Sequence, residues 1–147
     1  MRLAALLLLL AGCASGAKPY ADGGEGNLSI RISSSARASL DVHSVDAQCR
    51  AQYLGSVDLD KPAVAVGVPA GRLSYLEFGF ASSGFFSRRT HTSRGTLLEP
   101  KPGARYELDV TYRDDIYGVV LREKPARGAA RELPLLDLGS CRPRASR

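Results

Sequence analysis

Residues 105–124, RYELDVTYRDDIYGVVLREK, decide the fold. Apolar and polar side chains alternate through the first half, so that Tyr106, Leu108, Val110 and Tyr112 share one face of an extended strand. Asp114-Asp115 suits a hairpin turn, and Tyr117, Val119 and Leu121 continue the alternation beyond it. The stretch therefore predicts a β-hairpin with one buried face and one polar face.

The same period of two runs through most of the remaining chain, and turn residues such as Pro100-Lys101-Pro102-Gly103 separate the segments. In the long segment that begins at Cys49, the odd positions, including Tyr53, are expected to point inward. No apolar stripe has helical spacing. The pattern predicts an all-β fold: a single antiparallel β-sandwich of about seven to nine strands, with immunoglobulin-like or transthyretin-like topology, and a closed barrel as the competing architecture. The further predicted strands are residues 28–32, 40–42, 49–59, 64–68, 76–80 and 133–138.

The chain begins with the basic residue Arg2 and an apolar run over residues 3–10, which ends in Leu10-Ala11-Gly12-Cys13. The run is too short to span a membrane, which takes about 20 apolar residues, but it is typical of an export signal. These four last residues resemble the lipobox of bacterial lipoproteins. The resemblance implies that Cys13 becomes the lipidated N-terminus, and Ala14, in place of Asp, implies the outer membrane, with the domain facing the periplasm. A plain secretory signal, cut near Ala14 or Ala17, is the alternative.

This division predicts four regions. Residues 1–12 form the signal peptide, and residues 13–26 form the lipidated N-terminus with a flexible tether. Residues 27–141 form the β-sandwich domain, and residues 142–147 a basic tail. The glycine-rich tether has a reach of roughly 20 Å. Tyr20 is its only large apolar side chain and is expected to dock on the domain.

Cys49 and Cys141 remain as an even pair once Cys13 is assigned to lipidation. Export favours a disulfide between them, which would link the third strand to the C-terminal one. Two independent thiols are the alternative. No metal site is expected, because the two histidines, His43 and His91, show no ligand spacing with the cysteines.

The net charge of +5 is mildly basic and favours anionic surfaces. Nucleic acid is not expected as a partner, because basic and aromatic residues do not cluster. The most basic local stretch is the candidate contact with an anion or a protein partner, and a solvated edge strand is the alternative explanation. Its members are Arg88, Arg89, His91 and Arg94.

Catalytic groups do not form a recognisable constellation in the sequence. His43, beside Asp41, is predicted to be a partly exposed strand residue, and His91 a surface residue. Asp114 and Asp115 are explained by turn geometry. No Gly-x-Ser-x-Gly elbow is present. The sequence therefore predicts neither an enzyme nor a cofactor.

These expectations combine into one functional hypothesis: a non-enzymatic binding or assembly module that a lipid on Cys13 anchors to the membrane, with an envelope protein as its partner. One alternative is an envelope hydrolase that acts on glycan or peptide, which a histidine beside a carboxylate in a cleft would favour. The other is a barrel that carries a small apolar ligand, which a large apolar cavity would favour.

Overall fold

A computed structural model describes residues 17–21, 26–82, 90–114 and 116–143 of the chain. Nine strands and one short 3-10 helix, Leu138–Ser140, form this part, and none of its helices is long and apolar enough to cross a membrane. The strands are β1 (Leu28–Ser34), β2 (Arg37–Val45), β3 (Ala51–Asp58), β4 (Ala63–Val66), β5 (Ser74–Ser82), β6 (Thr90–Leu98), β7 (Arg105–Arg113), β8 (Ile116–Lys124) and β9 (Arg131–Leu133).

The strands form two sheets, and the prediction of a β-sandwich is confirmed. The five-stranded sheet has the order β4-β1-β7-β8-β9, and the four-stranded sheet has the order β3-β2-β5-β6. Strand pairs are antiparallel except β1 and β7, which run parallel. This pair is one exception to the predicted antiparallel arrangement: β1 continues through a short turn into β2 of the other sheet, and its parallel neighbour β7 comes from a distant part of the chain.

The core lies between the two sheets, and the alternation in the sequence identifies its members correctly. Phe78 and Phe80 of β5 are fully buried, as are Leu108 and Val110 of β7. Phe80 stacks on Tyr112 with 4.8 Å between ring centroids, which joins the sheets at one end. Each such large side chain contributes roughly 1.5–3 kcal/mol through burial.

The predicted hairpin of residues 105–124 is confirmed in its two strands. Arg113 pairs with Ile116, so that the turn consists of residues 114 and 115. Asp114 adopts a φ of 50°, in the left-handed region that aspartate tolerates better than most residues. Asp115 lies outside the described residues.

The third strand begins later than its sequence pattern predicts. Asp46 accepts hydrogen bonds from the backbone N–H groups of Gln48 and Arg50, both at 2.9 Å, and holds a turn in which Cys49 has a φ of 65°. A β-bulge between Val42 and His43 then shifts the register. Cys49 is therefore in a turn rather than in a strand. Tyr53, which was predicted to face inward, is 40% exposed because a one-residue shift exchanges the two faces of a strand.

The last strand is shorter than predicted. It ends at Leu133 because Pro134 has no N–H group for the ladder. The chain then runs beside β6, where the Leu97 N–H donates to the Leu136 carbonyl at 2.7 Å. Asp137 caps the 3-10 helix that follows.

Cys49 and Cys141 form a disulfide, with their Cα atoms 5.8 Å apart. The pairing predicted from the sequence is confirmed, but the elements it was expected to link are not. The bridge joins the turn before β3 to the residue after the 3-10 helix. It thus ties the C-terminal segment to the four-stranded sheet.

Residues 18–20 pack on β3, the outer strand of the four-stranded sheet. The Tyr20 N–H donates to the Ser56 carbonyl at 2.9 Å, and the Ser56 N–H donates to the Lys18 carbonyl at 2.8 Å. A Cβ atom on Gly55 would lie 2.5 Å from Tyr20 Cα, so only glycine permits this approach. Tyr20 docks on the domain, and the flexible tether does not extend through these residues.

Candidate functional site

The residues predicted to carry function are only partly within the described chain. Cys13, Arg88 and Arg89 lie outside it, as do residues 144–147 of the basic tail. His91 and Arg94 lie in β6, the outer strand of the four-stranded sheet. The second half of the basic segment therefore lies in an edge strand.

Arg94 extends from β6 towards the other sheet. It pairs across the ladder with the buried Phe78, and its guanidinium carbon lies 5.4 Å from the centre of the Tyr117 ring on β8. A cation over an aromatic face is held electrostatically. Arg94 nevertheless remains exposed, so its positive charge is accessible from solvent.

The β6 edge, residues 90–95, differs from the other three sheet edges. Lys18 and Tyr20 bond to β3 at Ser56, while β4 and β9 have only four and three residues. β6 has nine residues, and within the described part of the chain the segment at Leu136 lies beside its second half alone. N–H groups on one side of a strand recur at every second residue. Because the Leu97 N–H points away from β5, the Ser93 N–H does too.

The outer face of the four-stranded sheet carries a polar group that we call the outer cluster: Asp41, His43 and Glu77. Asp41 and His43 share one face of β2, and Asp41 lies directly opposite Glu77 on β5. The His43 Nε2 atom is 3.7 Å from Glu77 Oε2. One potential ligand atom from each residue lies within 4.8 Å of the others.

Neighbouring side chains orient the outer cluster. Ser56 Oγ donates to Asp41 Oδ1, and the Tyr53 hydroxyl lies 2.7 Å from Ser56 Oγ. The His43 ring lies between Tyr53 and Tyr75, with centroid distances of 5.5 and 5.9 Å. Burial raises the pKa of the Tyr75 hydroxyl, and the nearby Glu77 charge raises it further. Two tyrosine rings thus flank the histidine of the outer cluster.

Sequence reasoning placed His43 correctly as a partly exposed strand residue, since its side chain is 18% exposed. It did not identify Glu77 as a partner, and its expectation of no metal site considered only the cysteines and histidines. The alternation contained the missing information, because Asp41, His43 and Glu77 all occupy the polar positions of their strands. What the sequence lacked was the pairing of β2 with β5.

A second group of charged side chains surrounds the buried residue Glu123. Glu123 is 2% exposed, and its carboxylate contacts Lys101 Nζ at 2.9 Å and Arg131, while the Tyr106 hydroxyl donates to it at 3.3 Å. Hydrogen bonding from Lys101, together with Arg131, lowers the pKa of Glu123 although burial opposes this. Both cations neutralise the carboxylate, so we interpret this group as structural.

Comparison of the chain with protein-family models, with curated proteins and with solved structures gives no match.

Proposed function

We propose that this chain is a bacterial outer-membrane lipoprotein, anchored through Cys13 and facing the periplasm, whose β-sandwich binds an envelope protein without catalysing a reaction. The β6 edge is the observation that carries the binding part of this proposal. Its outward N–H and C=O groups suit addition of an extended peptide strand, which main-chain hydrogen bonds would hold.

The charge around the β6 edge indicates the partner's chemistry. Arg94 is exposed on β6, and Arg88 and Arg89 directly precede the strand in the sequence. A guanidinium binds carboxylate through paired hydrogen bonds. An extended segment with acidic side chains therefore fits this edge best.

An envelope hydrolase is the second candidate, and the outer cluster is the observation that favours it. His43 lies near two carboxylates, an arrangement that general acid–base catalysis can use. However, the Ser56 hydroxyl donates to Asp41 rather than to His43, so this serine is not arranged as a histidine-activated nucleophile. We therefore rank this candidate below the binding module.

The binding proposal is tested by crosslinking in intact cells, followed by mass spectrometry of the captured complexes. A photoreactive residue at position 93 should recover one defined envelope protein, whereas the same residue at Asp58, on the opposite edge strand, should not. Ser93→Pro removes the outward N–H and should abolish this crosslink, assayed with the photoreactive group moved to Thr92. Ser93→Thr, which keeps the N–H, is the matched control.

Recovery of no specific protein, or of the same protein from both edges, would contradict binding at β6. The anchor is tested separately with Cys13→Ser, which should release the chain from the membrane fraction. If this variant stays in the membrane and is processed as before, the anchor and the assigned compartment are wrong.

A further inference from the structure

Asp41 and Glu77 form an unfavourable pair across the ladder. They face each other directly on neighbouring antiparallel strands, where like charges destabilise a sheet. Among the residues that the structure describes, no lysine or arginine forms an ion pair with either carboxylate. His43 is the cluster's only basic group, so a cation from solution would relieve the repulsion.

His43 supplies a second, independent observation. Its Nε2 atom is enclosed by the protein and has no hydrogen-bond partner within the described chain. Enclosed polar atoms are almost always satisfied, and one that is not needs an explanation. The 3.7 Å to Glu77 Oε2 exceeds hydrogen-bond range, but it is close to the distance between two ligands of a single metal ion.

We propose that Asp41, His43 and Glu77 bind one divalent cation of the zinc class. Zinc bonds of 2.0–2.1 Å place tetrahedral ligands about 3.4 Å apart. The ligand atoms here lie within 4.8 Å of one another, so small side-chain movements would bring them to that spacing. Imidazole together with carboxylates suits zinc better than calcium or magnesium, which take oxygen ligands.

The surroundings of the outer cluster support a metal in a defined geometry. The Ser56 hydroxyl fixes one oxygen of Asp41 and leaves the other for the ion, and Tyr53 in turn contacts Ser56. Such partners of ligating groups hold them in orientation. Three protein ligands leave one coordination position for water. Glu77 pairs with Gly95 at one end of the proposed peptide edge, but the site uses no side chain of that edge and does not depend on the lipid anchor.

The test uses the full-length chain, exported and purified in detergent, stripped with a chelator and titrated with Zn²⁺ by calorimetry. We expect one Zn²⁺ per chain. Co²⁺ should give the strong visible absorption of a four-coordinate site, and Zn²⁺ should displace it. His43→Gln and Glu77→Gln should each weaken Zn²⁺ binding at least tenfold, whereas Glu107→Gln, on the opposite face of the molecule, should leave it unchanged.

Absence of saturable one-to-one binding by the unmodified chain would overturn the proposal. Equal affinity in Glu77→Gln and in the unmodified chain would overturn it as well, since binding would then occur elsewhere. Circular dichroism verifies folding of each variant. Glu77→Gln decides the test if His43→Gln does not fold, because its side chain is the more exposed of the two.

Discussion

On the outer face of the five-stranded sheet, Asp109 lies between Arg31 and Arg122, whereas on the outer face of the four-stranded sheet Asp41 lies opposite Glu77. The Arg31 Nε atom donates to Asp109 at 2.6 Å, and Lys124 pairs with the neighbouring Glu107. Hydrogen bonds from Arg31 and from Lys124 lower the pKa values of Asp109 and Glu107, respectively.

The difference between the two faces concerns where the compensating charge comes from. Basic side chains on neighbouring strands of the same sheet form ion pairs with Asp109 and Glu107, so the charges of these two carboxylates are compensated. In the described chain, His43 is the only basic side chain close to Asp41 and Glu77. Carboxylates that a fold leaves uncompensated are candidates for a ligand, while compensated ones are candidates for stability alone.

The comparison assumes that both sheets unfold as one cooperative unit. Removing the disulfide tests this assumption, and we expect it to change the free energy of unfolding more than any other variant. Replacing Cys49 and Cys141 together by Ala should lower the free energy of unfolding by about 4–5 kcal/mol, since the bridge closes a long loop in the unfolded chain. Urea unfolding, followed by circular dichroism and by tyrosine fluorescence, measures it. Two separate transitions would contradict the assumption, and a loss below about 1 kcal/mol would contradict the stabilising role of the bridge.

Glu123 sharpens the comparison from inside the five-stranded sheet. Glu123→Gln should lower the free energy of unfolding by about 2 kcal/mol at pH 7, because it removes a buried charge from between Lys101 and Arg131. Glu132→Gln, at an exposed position on β9, is the control and should change little. Urea unfolding at constant salt measures both variants, and equal effects would contradict the structural role of Glu123.

The lowered pKa of Glu123 fixes the pH dependence of this effect. A carboxyl group whose pKa is lower in the folded chain stabilises the fold fully above its unfolded pKa, here near 4.5, and loses that contribution as pH falls through the folded value. The difference between the unmodified chain and Glu123→Gln should therefore shrink below about pH 4.5. A constant difference down to pH 2 would contradict the ion pairing.

The smallest expected changes in the free energy of unfolding should have opposite signs on the outer faces of the two sheets. In chelated protein, Asp109→Asn should lower the free energy of unfolding by less than about 1 kcal/mol, and high salt should reduce this loss. Glu77→Gln should instead raise it by about 0.3 kcal/mol, because it relieves the repulsion with Asp41. Thermal unfolding at low and high salt compares them. Destabilisation by both variants would show that the faces do not differ.

The fold was predictable where one face of a strand is fully buried. The alternation in β5 and β7 identified core residues such as Phe78 and Leu108, because a burial pattern of period two specifies both strand and face. It failed at Tyr53, because a bulge in the pairing of β2 with β3 exchanges the faces. Gly55 inside the β3 pattern is compatible with a bulge, but it does not by itself specify one. The parallel pairing of β1 with β7 likewise depends on contacts between distant segments.

The sites were less predictable for the same reason. Asp41 and His43 are close in sequence, but Glu77 joins them only through the register of β5. The disulfide was predictable because only two cysteines remained once Cys13 was assigned to the anchor. Its location was not, since Asp46 folds Cys49 into a turn through local hydrogen bonds that hydrophobic periodicity does not detect.

The docking of Lys18 and Tyr20 on β3 has a consequence for orientation at the membrane. If lipid is attached at Cys13, four residues separate it from Lys18, where the docked segment begins, and these five steps along the chain span about 18 Å when fully extended. So short a linker would hold β3 close to the lipid headgroups. β6 is the opposite margin of the same sheet, three strand spacings or about 14 Å further out, and would be presented to the periplasmic space.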